Sequence, residues 1–517
     1  MDGEGTSRNL VLAAMIFAVS MTFIDQTIVS IAAPKIQQEL GLSSTGVQWA
    51  VNAYLLSLAA LFAFGGRLAD TLGHRKMVLL GVTVFAAASA LCGATPKGSL
   101  AEAWIVTFRV VQGAGGAIMF PAALAIVVQT FALRKRGKAL AIFFGIAGGL
   151  TSIGPIAGGY LTQWTWRAIF WVNIPVALIA IALILISKPQ TEYRRAPIDF
   201  RGLVLIASGV GLSVFGFQQS STWGWHNPAI WLCIVVGLAV TVLFVNVERR
   251  TESPLIQVSI FSIRAFAVEN GVLGIAMTAF IPVFFFASEY AEIGLGKPSA
   301  QAGLVLLYFF IGFAVAAQIG GRMLDRRGAK FPVVAGCLLA AVGFALWAGK
   351  LPDLDFSTQI GYVILSGAGM GLMLGQSNTD AVNRASRLSY GEATGVTQTV
   401  RNYMASLGFA ILGTILISRM RSELTDSLAA MGLAHGQAAA EAGRLAELQG
   451  GTKLSTIPQF VRLDFARASQ TVFYVMAGVM ALAAVVAKLG LQRGVQADPA
   501  EGAGPAAPPA PVREGAH

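Results

Sequence analysis

Long apolar segments recur along the chain and are separated by short polar segments. Runs of about 18 to 25 apolar residues are long enough to cross a bilayer as helices. The pattern predicts fourteen spans, at 10–31, 46–66, 77–95, 104–128, 138–162, 168–187, 202–219, 229–247, 267–290, 299–320, 331–349, 359–380, 394–418 and 471–490. The sequence therefore predicts an all-α polytopic membrane protein, and these segments are called spans 1 to 14.

The polar segment that follows span 2 returns after span 10, 255 residues later. Residues 65–76 read GGRLADTLGHRK and residues 320–330 read GGRMLDRRGAK. A glycine pair lets a neighbouring helix approach closely, and an aspartate can cap the next helix or hold an arginine. The repeat predicts two structural halves. The alternative is that turns between spans collect Gly, Arg and Asp without being related.

Alignment of the two halves through this repeat pairs spans 1–6 with spans 9–14 and leaves spans 7 and 8 as an inserted pair. The predicted domains are an N-terminal six-helix bundle at 1–187, the inserted pair with its linkers at 188–263, and a C-terminal six-helix bundle at 264–493. The third domain includes an external, partly helical segment at 419–470. Residues 494–517 are rich in Ala, Pro and Gly and predict a disordered cytoplasmic tail.

Composition and charge agree with a membrane protein, since 55% of the residues are hydrophobic and only 12% are charged. Alternate segments that include both termini hold 24 Lys and Arg residues, and the opposite short loops hold 5. This asymmetry predicts cytoplasmic termini. The net charge of +11 is scattered, which argues against nucleic acid binding. Because Cys/His ligand spacing is absent, we expect no metal and no cofactor.

Two charged side chains are predicted to lie deep in the membrane. Helical rise places Asp25 about 22 Å along span 1 from the cytoplasmic end and Arg109 about 28 Å along span 4. Span 1 is too long for a signal-peptide core. The matching depths predict an ion pair between the two residues. A carboxylate that moves between an arginine and apolar surroundings binds and releases a proton, so the pair is a candidate coupling device. The alternative is a static pair that fixes spans 1 and 4.

Span 5 carries the segment GIAGGLTSIGPIAGG, which combines many small residues with a proline. Small residues let a partner helix approach, and a proline bends a helix, so this density predicts a moving interface. The residues concerned are Gly145, Gly149, Gly154, Pro155, Gly158 and Gly159.

Polar and aromatic side chains within the spans are candidates for substrate binding. They suit aromatic or cationic substrates, although lipid-facing aromatics are common in spans. The candidates are Gln26, Trp49, Asn52, Tyr54, Gln112, Phe284, Glu289 and Gln376. Two further charges, Asp380 in span 12 and Arg401 in span 13, approach the same cytoplasmic side, and a pair between them is their expected explanation.

These motifs together resemble the major facilitator superfamily, and within it the fourteen-helix drug:proton antiporter branch of multidrug exporters. The resemblance covers about residues 10–491. The segments that carry it are FIDQTIVSIAAPKI (23–36), the loop 65–76, RVVQGAGGAIMFP (109–121), the span 5 segment (145–159) and WRAIFWVNIP (166–175).

The resemblance implies that Asp25 and Arg109 take part in proton coupling and that the span 5 motif sets export. It also implies a conformational gate at the repeated loops, formed by Gly65, Asp70, Gly73, Arg75 and Asp325. The expected protein is a monomeric exporter in a bacterial plasma membrane, driven by the proton gradient, which moves amphipathic or cationic small molecules out of the cytoplasm.

Other functions stay open at this point. A dedicated exporter of one natural product or lipid would carry the same motifs. A membrane sensor that keeps the transporter fold would bind ligand without moving it. A membrane enzyme acting on lipid-linked substrates would need an Asp-rich metal motif or a catalytic His/Ser cluster in a loop, and the sequence has neither.

Overall fold

A computed structural model describes residues 2–131, 139, 142–143, 146, 154, 157–189, 199–384, 390–448, 457–492 and 494. The regular structure of these residues is helical. The helices are Asp2–Leu40, Ser44–Leu72, His74–Gly93, Ala101–Thr130, Ala168–Trp171, Asn173–Ser187, Phe200–Trp223, Pro228–Glu248, Arg264–Glu289, Ser299–Arg327, Lys330–Lys350, Ile360–Arg384, Tyr390–Ala430, His435–Leu448 and Gln459–Gly490.

Thirteen helical segments within the described ranges are long and apolar enough to cross a membrane. They coincide with spans 1–4 and 6–14, while most of span 5 lies outside the described residues. Several helices exceed their apolar segments, because helical hydrogen bonding continues into the polar ends. The all-helical membrane fold is therefore confirmed.

Spans 2 and 10 pack in the same way in their respective halves. A β-carbon on Gly65 would overlap the carbonyl of Ala117 in span 4, and one on Gly320 would lie 2.9 Å from the carbonyl oxygen of Leu372 in span 12. Leu372 lies 255 residues after Ala117, which is the spacing of the repeat itself. A glycine thus lets two helices approach closely at equivalent positions in the two halves, span 2 against span 4 and span 10 against span 12.

The turn that ends each repeated loop has a conformation that favours glycine. Gly73 follows span 2 with φ of 100°, and Gly328 follows span 10 with φ of 77°. In both turns the glycine N–H donates to the carbonyl four residues earlier, at 3.0 Å to Ala69 and 2.9 Å to Leu324. A side chain at positive φ is strained, so the repeat reflects shared backbone geometry.

The inserted pair lies against both halves through span 7. In span 2, Asn52 donates from Nδ2 to Oε1 of Gln218 at 2.6 Å, and it accepts at Oδ1 from the hydroxyl of Ser406 in span 13 at 2.6 Å. Thr414, also in span 13, donates to the carbonyl of Phe217 at 2.8 Å. Span 7 is therefore joined by hydrogen bonds to the helices of both halves. The domain boundaries given above stay predictions.

The segment predicted to be external begins as a continuation of span 13, whose helix runs on to Ala430. A separate helix, His435–Leu448, follows it. Ser427 donates to Oδ1 of Asp464 at 3.0 Å, which joins the helix that extends span 13 to the helix Gln459–Gly490 that contains span 14. The C-terminal residues 495–517 lie outside the described part of the chain.

Candidate functional site

Asp25 and Arg109 form the predicted ion pair, and Gln112 completes it. Arg109 Nη1 lies 2.5 Å from Asp25 Oδ2 and donates at 2.7 Å to Gln112 Oε1. The Gln112 amide donates from Nε2 to Asp25 Oδ1 at 2.9 Å. All three side chains are buried. Each carboxylate oxygen therefore has a donor, which is what stabilises a buried charge.

The guanidinium of Arg109 has partners besides Asp25. Its Nε donates to the carbonyl of Ala50 in span 2 at 2.8 Å, and its Cζ lies 4.5 Å from the ring centroid of Tyr54. Tyr54 in turn donates to the carbonyl of Thr22 at 3.2 Å. Arginine stays charged in proteins whereas a carboxylate can accept a proton. Arg109 is thus held in place by contacts that do not depend on the charge of Asp25.

Local sequence explains how these side chains meet. Arg109 and Gln112 are three residues apart and share one face of span 4. Glycines on the same helix permit close packing, since a β-carbon on Gly113 would lie 2.6 Å from the carbonyl oxygen of Tyr54 and one on Gly115 would lie 2.7 Å from the amide nitrogen of Phe85. Gly113 therefore lets span 4 approach span 2, where Arg109 reaches Ala50, and Gly115 lets it approach span 3.

A small cavity, called here the central cavity, lies one helical position from Asp25 and between the two halves. Its volume is about 20 Å³, which is space for about one water molecule. Spans 1, 2 and 4 line it on one side, and spans 9 and 13 on the other. The lining residues are Thr22, Phe23, Gln26, Leu58, Phe62, Phe120, Met277, Ile281, Gln398, Arg401 and Asn402.

Of the predicted substrate-binding residues, Gln26 lines the central cavity. Tyr54 and Gln112 belong instead to the surroundings of the ion pair. Asn52 is engaged by spans 7 and 13, and the Trp49 ring nitrogen donates to Gln219 Oε1 at 3.4 Å. Trp49 and Asn52, predicted to bind substrate, therefore face the inserted pair, because span 7 covers that side of span 2.

Three other predicted substrate-binding residues lie within the C-terminal half. Phe284 is buried, with its ring 5.2 Å from the ring of Phe310. Gln376 donates to the carbonyl of Ala317 at 3.1 Å. Glu289 ends the span 9 helix, and its Oε2 is buried without a hydrogen-bond partner among the described residues. These positions do not line the central cavity, because packing within the half occupies them.

The repeated loop after span 2 borders a second cavity, of about 440 Å³, at the end predicted to be cytoplasmic. Gly66, Arg67, Asp70 and His74 line it, together with the linker residues 252–257 that follow the inserted pair. Asp70 Oδ1 accepts a hydrogen bond from His74 Nε2 at 3.1 Å. The Asp70 side chain is 53% exposed. Asp70 is therefore accessible at the end predicted to be cytoplasmic, beside the linker that follows the inserted pair.

The remaining residues of the predicted gate have different surroundings. Arg75 is partly buried, and its Nε has no hydrogen-bond partner in the described part of the chain. Gly65 and Gly73 have the packing and turn roles described above. Asp325 lies on the span 10 helix, and its side chain is outside what the structure describes.

The described part of the span 5 motif packs against span 1, next to Asp25. A β-carbon on Gly154 would overlap the hydroxyl of Thr27, and one on Gly158 would lie 2.9 Å from Cγ1 of Ile28. Gly159 is buried in the same helix. The close approach predicted for this motif is thus present two residues after Asp25. Gly145, Gly149 and Pro155 lie outside the described residues.

Several residues of the central cavity were not found by sequence reasoning. Phe23, Met277 and Asn402 give no signal that separates them from other side chains of a span. Arg401 did give a sequence signal, because it is a charged residue within a span, but the predicted ion pair with Asp380 is wrong. Arg401 Nη1 donates instead to Gln398 Oε1, one turn earlier, at 2.9 Å. Arg401 lines the central cavity together with residues of the N-terminal half.

The family profile described as Major Facilitator Superfamily matches residues 15–409. The tetracenomycin C resistance and export protein of Streptomyces glaucescens is 33% identical over 495 residues, which are 92% of this chain and 90% of that protein. The puromycin resistance protein pur8 of Streptomyces alboniger is 32% identical over 81% of this chain and 82% of that protein.

Solved structures share the fold at low identity. A bacterial homologue of the human lysosomal transporter Spinster has a TM-score of 0.57 and 15% identity, over 94% of this chain and 97% of that one. The xylose transporter XylE from E. coli has a TM-score of 0.55 and 13% identity, over 88% of this chain and 98% of that one.

Proposed function

The chain belongs to the Major Facilitator Superfamily and is a multi-pass membrane transporter, not an enzyme, and from this premise we propose that it exports drug-like small molecules in exchange for protons. The direction is outward from the cytoplasm of a bacterium, across the plasma membrane, with both termini cytoplasmic. The proposal treats the protein as a monomer that needs no cofactor besides the proton gradient.

The buried carboxylate of Asp25 is the observation that carries the proposed coupling. Its Oδ2 lies 2.5 Å from Arg109 Nη1, and the adjacent residue Gln26 lines the central cavity between the halves. Movement of span 1 that separates Asp25 from Arg109 leaves the carboxylate in apolar surroundings, where it binds a proton. Arg109 keeps its bond to Ala50 during this exchange. Return of span 1 restores the ion pair and releases the proton.

Alternating access supplies the movement in this proposal. The two halves rock about a site near the midplane, so that the central cavity opens to one side at a time. Gly154 and Gly158 allow span 5 to slide against span 1 close to Asp25. The repeated loops act as the inner gate, in which Asp70 pairs with His74 in the conformation described here.

Relatives support a cargo of antibiotic-like molecules. The two curated relatives described above are named for export of or resistance to tetracenomycin C and puromycin, and a Bacillus subtilis relative, 29% identical over 83% of this chain, is named a multidrug transporter protein. A dedicated exporter of one natural product is the second candidate. The relative at 33% identity over nearly the whole chain is named for a single compound, which favours this possibility.

Proton flux in reconstituted vesicles tests the proposal. Purified protein is placed in liposomes that contain the pH indicator pyranine, a pH gradient is imposed, and ethidium, doxorubicin or fluorescein is added as cargo. We expect cargo-dependent proton movement with the wild-type protein and none with Asp25→Asn, because an amide cannot bind and release the proton. Coupled flux through Asp25→Asn at the wild-type rate would contradict the assigned role.

The matched control is Asp355→Asn, outside the predicted spans. Asp355 is an exposed acid whose pKa lies below its usual value because the hydroxyl and then the backbone N–H of Ser357 donate to it. This variant should transport like the wild type. Binding of cargo without gradient-dependent flux in the wild-type protein would favour a sensor. Movement of one compound from a broad panel would favour a dedicated exporter.

A further inference from the structure

The central cavity contains a cation for which the described residues supply no acidic partner. Arg401 in span 13 is partly buried and lines the cavity. The hydrogen bond recorded for its guanidinium within the described residues goes to the neutral Gln398 Oε1, at 2.9 Å. A guanidinium away from water is stabilised by an anion much more than by one amide oxygen. Arg401 therefore has donor groups left for a ligand.

The charges of the neighbouring residues leave the cavity positive. Asp25 precedes a lining residue, but its two carboxylate oxygens are occupied by Arg109 and Gln112. Arg401 is the one charged side chain among the described residues that line the cavity. Its opposite wall, across the contact between the halves, carries the neutral polar side chain of Gln26. The cavity thus favours negative charge over positive charge.

The rest of the wall is suited to a flat apolar body. Phe23 lies 5.7 Å from Phe120, and Phe62 lies 5.4 Å from the same ring, measured between ring centroids. These three aromatic residues belong to the N-terminal half and face Arg401 of the C-terminal half across the cavity. A ligand that places a ring against the aromatic wall and an acidic group against Arg401 would contact both halves at once.

We propose that Arg401 is an anion-binding residue of the transport site and that the preferred cargo is an amphipathic aromatic molecule with a carboxylate or phenolate group. This inference rests on the proposed export function, and it differs from the sequence-based expectation of a cationic cargo. The cavity volume of about 20 Å³ accommodates one small group. The whole ligand therefore enters only when the halves move apart, and Arg401 then holds its acidic group.

Two xanthene dyes of opposite charge test the inference with the same ring system. Fluorescein carries a carboxylate and a phenolate, whereas rhodamine 6G is a cation without a free carboxylate. Fluorescence anisotropy measures the Kd of each dye for the purified full-length protein in detergent. The variants are Arg401→Gln, Arg401→Lys and, as a matched control, Arg419→Gln, which changes an exposed arginine on the same helix.

We expect Arg401→Gln to weaken fluorescein binding by about 10- to 100-fold, the range for loss of a hydrogen bond to a charged group. Arg401→Lys should weaken it less, since the charge remains but the two-pronged geometry is lost. Rhodamine 6G should bind Arg401→Gln at least as well as it binds the wild type, which also shows that the variant is folded. Arg419→Gln should leave both Kd values unchanged.

Three results would overturn the inference: no fluorescein binding by the wild type, equal fluorescein binding by wild type and Arg401→Gln, or equal loss of both dyes in Arg401→Gln. The last would make Arg401 a structural residue. Proton-coupled flux of rhodamine 6G without fluorescein binding would refute the anion preference and leave the export proposal intact. Arg401-dependent fluorescein binding without any gradient-driven flux would support the anion preference and refute the export proposal.

Discussion

Removal of one member of the buried ion pair should destabilise the protein by an amount that depends on which member is removed. Asp25→Leu leaves Arg109 charged, with Ala50 O and Gln112 Oε1 as neutral acceptors at 2.8 Å and 2.7 Å. Arg109→Met leaves Asp25 with the Gln112 amide at 2.9 Å. The carboxylate can neutralise itself by binding a proton, and the guanidinium cannot lose one. The two single variants are therefore not equivalent.

The structure sets the expected magnitudes. Asp25→Leu leaves an uncompensated buried cation and should lower the free energy of unfolding by about 3–5 kcal/mol. Arg109→Met removes a charged hydrogen bond but lets Asp25 become neutral, so the loss should be about 1–3 kcal/mol. The double variant Asp25→Leu/Arg109→Met leaves no buried charge but removes both partners of the buried Gln112 amide, so the loss should be about 1–3 kcal/mol, below the sum of the two single losses.

Unfolding in mixed micelles measures these differences. Purified variants in a mild detergent are titrated with sodium dodecyl sulfate, and loss of helix is followed by circular dichroism, so that each free energy is extrapolated to zero denaturant. The reasoning would be refuted if Arg109→Met were more destabilising than Asp25→Leu. It would also be refuted if the loss in the double variant equalled the sum of the two single losses, because the residues would then not interact.

Three further predictions use the same unfolding measurement. Gly65→Ala should lower the free energy of unfolding by about 1–3 kcal/mol, because the new β-carbon overlaps span 4. The adjacent Gly66→Ala should be neutral, since its β-carbon would lie 3.6 Å from Pro121 Cβ. Equal effects of the two variants would contradict the packing argument. Gly73→Ala should lower the free energy of unfolding by about 1–3 kcal/mol, because φ of 100° with ψ of 127° is a conformation that side chains rarely adopt, and an unchanged stability would contradict this expectation. In a double-mutant cycle, Asn52→Leu and Gln218→Leu should show a coupling free energy of about 0.6 kcal/mol and at most about 1.7 kcal/mol. Strictly additive losses would show that the hydrogen bond between span 2 and span 7 does not contribute to stability.

Sequence patterns predicted the features that depend on local chemistry. The spans follow from unbroken apolar segments, because a bilayer requires every backbone polar group to bond within its own helix. The turns at Gly73 and Gly328 follow from the repeat, and the Asp25–Arg109 pair follows from two helices of known direction and rise. In each of these cases the position of a residue within its own segment fixes its depth in the membrane or its backbone geometry.

The sequence predicted poorly the features that depend on which face of one helix packs against which face of another. Asn52 and Trp49 read as cavity residues, but span 7 covers them. Phe284 reads as an aromatic of the substrate site, but it packs on Phe310. In a span, apolar side chains surround the helix on all sides, so the periodicity that marks a buried face in a soluble protein is weak. The neighbour of a given face is consequently not written in the sequence.

The sequence by itself determined the apolar spans, the repeated turns and the pair of buried charges, because bilayer thickness, helical rise and turn geometry act on each segment separately. The tertiary structure alone decided the neighbours of Arg401 and the residues of the central cavity. Those residues come from five helices on both sides of the contact between the halves. Their meeting depends on the rotation of each helix about its own axis, which is set by side-chain packing between segments far apart in the chain.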